Sequence, residues 1–149
     1  EQTRYWDSLE SFKSKLLTFI RPSENSVYGI NNPQGIKFLN RLRVGLSHLH
    51  YHKFKHGFLD TNNPLCVCGE GIENMVHFFL HCSLFDQFRT TLRERLLNID
   101  VNFFNVDEYL IVQTMIFGNK KYNLETNHLI LSATIEFIIS TERFNGNLM

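Results

Sequence analysis

Pro64-Leu65-Cys66-Val67-Cys68-Gly69, followed by Glu73-Asn74-Met75-Val76-His77-Phe78-Phe79-Leu80-His81-Cys82, is the stretch that decides how this chain folds. It carries all three cysteines of the 149-residue sequence, in the pattern C-x-C-x8-H-x4-C with His77 between them. Three thiols and an imidazole so close together supply a complete tetrahedral ligand set of the kind structural zinc takes. Cysteines serving only as small buried hydrophobes would have no reason to gather in one segment. A disulfide framework fits poorly, because the count is odd and Cys66 and Cys68 are too close to bridge without strain. The sequence therefore predicts Zn2+ held by Cys66, Cys68, His77 and Cys82, in a reducing compartment.

Local chemistry supports such a knuckle. Gly69 follows the C-x-C directly and is free to take a positive φ, which turns the backbone so that its amides face a thiolate. The apolar run Met75 to Leu80 predicts a helix from near Glu73, with His77 upon it. Cys82 lies five residues further on, about 140° around a continuous helix. The helix must therefore end or bend near His81 for both side chains to reach one metal. Ser83 with Asp86 reads as a capping box opening the next helix. His81 competes for a ligand role, since it shares a helical face with His77. Cys82 is preferred, because a His77/His81 pair would leave a thiolate idle.

Working outward, residues 36–56 read as one long helix with Leu39, Leu42, Leu46 and Leu49 as its apolar stripe. Gly45 interrupts it, allowing close packing or a kink. Lys37, Arg41, His48, His52 and Lys55 fall within about 60° of one another on the opposite side. With Arg43 and Lys53 they form a candidate phosphate-binding face; the alternative is an ordinary solvated face. The whole chain balances fifteen Lys and Arg against fifteen Asp and Glu, yet Arg21 to Leu59 holds six bases and one acid. Further helices are expected over 3–20, 84–97, 106–117 and 124–144, with loops over 24–35 and 57–72. The last two helices carry apolar stripes (Tyr109, Val112, Ile116; Leu124, His128, Leu131, Ile135, Ile138) suited to core or docking. The expected fold is mainly α, about five helices with a small CCHC zinc knuckle. Its expected parts are an N-terminal helix and linker (1–34), a basic helix with the knuckle (35–100) and a C-terminal helical pair (101–149).

Composition narrows the classes. At 43% hydrophobic the chain has enough apolar residues to build a core. No apolar run is long enough for a membrane span. The first twenty residues lack the basic-then-apolar pattern of a signal peptide, so an intracellular place, nucleus or cytoplasm, is expected rather than secretion. The chain opens on Glu1, and a piece of a longer protein is expected.

Taken together, Arg41-Leu42-Arg43-Val44-Gly45-Leu46, the Cys66-Val67-Cys68-Gly69 turn, Glu73 to Cys82, Phe85 and Arg89 resemble the C-terminal zinc-binding segment of reverse transcriptases from LINE-type (non-LTR) retrotransposons. There an R-L-R-x-G helix precedes a C-x-C-G turn and an E-x-x-x-H-x-x-x-x-C helix. The resemblance covers residues 35–95, with Ser83 standing where that family usually has proline. It implies a segment downstream of a polymerase domain in the same parent chain, helping bind template RNA or target DNA weakly and largely without sequence preference. No paired-aspartate polymerase turn is present, so the chain itself is expected to be non-catalytic. Two other readings stand beside this one. A zinc-stabilised protein–protein interaction module would use Phe58, Phe103, Phe104 and Phe144. A metallo-hydrolase would need an open coordination position and a nearby general base.

Overall fold

A computed structural model describes residues 29–145. The helix expected over 3–20 lies outside the described residues. Five α-helices follow in order: α1 (Pro33–Arg43), α2 (His50–Lys55), α3 (Asp86–Ile99), α4 (Glu108–Phe117) and α5 (Leu124–Thr141). Between α2 and α3 the chain makes a π-helical turn (His77–His81) and a 3-10 turn (Ser83–Phe85). Among the described residues there is no strand, only one antiparallel bridge between Leu65 and Ile72. The mainly helical class expected from the sequence is the one observed.

The single helix over 36–56 is not formed. It is two helices, and both ends are set by local chemistry. Asn32 caps α1 by accepting from the Gly35 N–H at 2.9 Å, and Pro33 takes the first position, where its missing N–H costs nothing. The start therefore falls inside the stretch expected to be loop. At the other end Gly45 adopts φ +75°, its N–H donates to Leu42 O, and the Leu46 N–H reaches back to Arg41 O at 2.9 Å. This pair of bonds is the Schellman motif, which closes a helix on a left-handed residue. The same motif ends α2 at Gly57, with Phe58 N–H donating to Lys53 O. Leu39, Leu42 and Leu49 are buried as expected, but Leu46 is 53% exposed because the helix has already stopped.

The core forms around α5, which packs on α3, α1 and α4. Every residue of α4 from Ile111 to Phe117 is buried, so the helix is enclosed on all sides after its first turn. Gly35 permits the close approach of α1 to α5: a Cβ built there would stand 2.3 Å from Ile135 Cγ2. Phe78 is the hub of an aromatic cluster, with ring centroids 4.9 Å from Phe79, 5.4 Å from Phe85 and 5.2 Å from Phe144. Phe103 and Phe144 are buried, so they belong to the core and not to a docking surface. One hydrophobic core thus joins the segments on either side of residue 100. No described helix is long and apolar enough to cross a membrane.

Candidate metal centre

The knuckle is built on a tight turn. Cys66 N–H donates to Gly71 O at 2.8 Å and Glu73 N–H to Pro64 O at 2.8 Å, closing residues 64–73 into a hairpin-like loop. Gly69 takes φ +82° at its tip, a conformation a side chain would resist. The following amide, Glu70 N–H, then points at Cys68 Sγ at 3.4 Å, as the C-x-C-G pattern predicts. Asn74 Oδ1 accepts from His77 N–H at 2.9 Å and so steadies the start of the next turn.

The π turn settles the spacing of the other two residues. Cys82 N–H donates to His77 O at 2.7 Å, an i to i+5 bond. In a π turn the chain comes back beneath its starting residue after five positions instead of roughly four. The expected 140° separation is thereby much reduced before the chain breaks. Cys82 itself is extended (φ −62°, ψ 120°) and leads into the 3-10 turn. So the helix does depart from regularity near His81, by widening first and ending second. The capping box expected at Ser83 does not form; Ser83 Oγ donates instead to Glu70 Oε1 at 2.8 Å and ties this corner to the C-x-C loop.

These elements bring Cys66, Cys68, His77 and Cys82 together, with one donor atom of each lying within 4.8 Å of all the others. Cys66 Sγ is 3.7 Å from Cys82 Sγ, and Cys68 Sγ is 3.3 Å from His77 Nε2. Cys66, His77 and Cys82 are buried and Cys68 half-buried. Burial pushes the Cys66 thiol up to about 12 and raises Cys82 as well, while it lowers His77 and favours the neutral imidazole. Buried thiols of this kind stay protonated until a cation replaces the protons. His81 is not part of the cluster. Its Nε2 pairs with the Glu108 carboxylate of α4 on the outside.

Several supporting residues were not singled out as site residues from the sequence. Arg89 reaches from α3 to donate to Phe78 O at 3.0 Å and Phe79 O at 2.9 Å, carbonyls within the π turn. Glu73, only 3% exposed at its side chain, receives two bonds from Arg143, at 2.7 and 2.6 Å, and one from His50 N–H at 2.8 Å. Arg143 also donates to His48 O at 2.9 Å. The C-x-C loop is therefore held to the chain just beyond α5 across seventy residues. Arg89 and Glu73 stand within the resembling motif; nothing in the sequence marks Arg143.

The expected basic face is not one face. Arg43 is buried, donates to Ile116 O at 2.7 Å and lies over the Phe117 ring; burial lowers its guanidinium to about 10. His48 and His52 are buried, and His52 Nδ1 meets Ser47 Oγ at 2.7 Å. Lys53 is buried against Phe58 and bonds Asp60 at 2.6 Å. Arg43, His48, His52 and Lys53 therefore do not offer themselves to phosphate, because the turn at Gly45 rotates α2 out of the register of α1. Lys37 and Lys55 are exposed and Arg41 half-exposed.

Comparison with protein-family models, with curated proteins and with solved structures finds no significant match.

Proposed function

We propose that the chain is a non-catalytic, zinc-stapled helical module of the kind that follows the polymerase in LINE-type reverse transcriptases, with a weak nucleic-acid contact of its own. The observation that carries this reading is the convergence of Cys66, Cys68, His77 and Cys82 on one point. A tetrahedral zinc site has sulfur–sulfur edges of about 3.8 Å and sulfur–nitrogen edges of about 3.5 Å. The separations of 3.7 and 3.3 Å fit that figure before any ion is added. Zinc suits three thiolates and an imidazole better than a hard cation does. With all four positions filled by protein, none is left for a substrate, which favours a structural role over hydrolysis.

The motif residues behind the resemblance support a scaffold reading. Arg43 latches α1 to α4, Gly45 closes α1, Glu73 anchors the loop and Arg89 binds the π turn. The motif thus encodes this packing. Nucleic-acid contact falls to Lys37, Arg41 and Lys55. Three neutralised phosphates give a log–log salt slope of about −2.7 on duplex and about −2 on a single strand. Titrating labelled RNA and DNA at two salt concentrations tests this. Lys37→Glu, Arg41→Glu and Lys55→Glu together should abolish the binding, and unchanged binding would remove its physical basis. A zinc-stabilised protein-docking module is the second reading, favoured by the exposed aliphatic side chains of Val44, Leu46 and Leu59. It expects no salt-dependent binding to nucleic acid.

A further inference from the structure

The lobe formed by the end of α1, the turn after it and α2 carries exposed aromatic rings among basic side chains. Phe54 is 46% exposed and Phe58 44% exposed, within the run Lys53-Phe54-Lys55-His56-Gly57-Phe58. Both are fixed by the Schellman turn that ends α2, in which Phe54 O accepts from Gly57 N–H and Phe58 N–H donates to Lys53 O. Lys53 Nζ stands 5.7 Å from the Phe58 centroid and holds the ring in place while bonded to Asp60. His56 Nε2 lies 3.1 Å from Gly45 O and joins α2 to the end of α1, so Arg41 and α2 belong to one lobe. His48 lies in the turn between the two helices. Burial first, then Arg41, Lys53, Arg143 and Lys37, all act to hold that imidazole neutral.

We propose that Phe54 and Phe58 form a stacking platform for unpaired bases, so that this lobe binds single-stranded RNA or DNA in preference to duplex. The inference rests on the nucleic-acid reading above and names its ligand. Aromatic rings interleaved with cations match the two faces of a single strand: flat bases for the rings and phosphates for Lys55, Arg41 and Lys37. A protein partner fits less well, since the cores of protein interfaces are depleted of lysine. In a duplex the bases are already stacked and the rings have nothing to receive. Stacking accepts any base, because every base has a flat face, so the preference is for strandedness and not for sequence.

The test uses the full chain loaded with zinc and labelled oligo-dT and oligo-U of about twenty nucleotides, with a duplex of equal length beside them. Anisotropy gives the affinities at two salt concentrations. Phe54→Ala and Phe58→Ala should each weaken single-strand binding by about five-fold or more, leave the salt slope unchanged and leave the duplex unaffected. Phe54→Trp and Phe58→Trp should bind as wild type. Zinc content and circular dichroism of the variants confirm that the fold is kept; because both rings are half in water, it should be. If the alanine variants bind single strands as wild type does, while the three charge reversals abolish binding, the platform is wrong and the nucleic-acid reading survives. If wild type binds neither form in a salt-dependent way, both fail. A protein ligand lost in the alanine variants, without nucleic-acid binding, overturns the proposal in favour of the docking module. Equal affinity for single strand and duplex also overturns it.

Discussion

Glu73→Ala is expected to cost about 3–5 kcal/mol of folding stability, the range for breaking a buried ion pair by removing one partner. The structure says why the loss sits in that range. The Glu73 side chain is 3% exposed and that of Arg143 16%, so the carboxylate is cut off from water and the guanidinium largely so. Removing the carboxylate strands the Arg143 guanidinium, which donates to it twice, and orphans the His50 N–H. For a domain of this size the loss is a fall of about 6–20 °C in Tm. Arg143→Met strands the buried carboxylate and should cost a similar amount. Glu73→Leu combined with Arg143→Met should cost much less than the two singles summed, because an apolar pair leaves no uncompensated charge. Urea denaturation at one saturating zinc concentration measures all of these, since bound metal shifts apparent stability. Single losses under about 1 kcal/mol, or a double loss equal to the sum within about 0.5 kcal/mol, would refute the reasoning.

Elemental analysis of protein purified without chelator should find one zinc per chain; Cys82→Ala should lose it and His81→Ala should keep it, because His81 is turned outward to Glu108. Gly35→Ala should destabilise by about 1–3 kcal/mol in thermal melts, since its Cβ must displace a side chain of α5 or the backbone itself. His48 is held below the ordinary imidazole range, chiefly by burial and then by four cations. A base lowered in the folded state contributes stability that is present above about pH 6.5 and lost as pH falls through the folded value. The stability difference between wild type and His48→Gln should therefore shift against wild type between about pH 8 and 5.5; a difference constant over that window would contradict the burial argument.

The Cys66, Cys68, His77 and Cys82 cluster is the most legible part of the sequence, because thiols and an imidazole at short spacing admit few other readings. Helices α3, α4 and α5 were also legible, their apolar positions falling on the helical period close to the observed bounds. What failed were the two ends of α1. Asn32-Pro33 is a helix-start signal that looks like loop by composition, and Gly45 is a closing residue that looks like a mid-helix defect. The second error carried the basic face with it. Angular arithmetic on a continuous helix placed His48 and His52 beside Arg41, whereas a left-handed turn lies between them. The π turn was beyond reach for a different reason. Nothing in Phe78-Phe79-Leu80-His81 distinguishes i+5 from i+4 bonding; only the need for Cys82 to arrive beside His77 does. Arg143 was illegible because its partner is distant in sequence, and a lone arginine after an apolar helix carries no address.

The π turn makes the candidate metal centre a gauge of chain length. Between His77 and Cys82 the backbone holds one residue more than an α-helical turn would use, and that surplus is what swings Cys82 under the imidazole. Deleting one of the four intervening residues would remove the surplus that the wider turn takes up and reset the direction in which α3 leaves the corner, and at Phe78 or Phe79 it would also break the aromatic cluster. The ligand pair could then meet only by dragging α3, and with it Arg89, away from the helix it packs on. Insertions and deletions here are thus read by the whole bundle and not by the loop alone, so the spacing of this pair is a property of the architecture as much as of the metal.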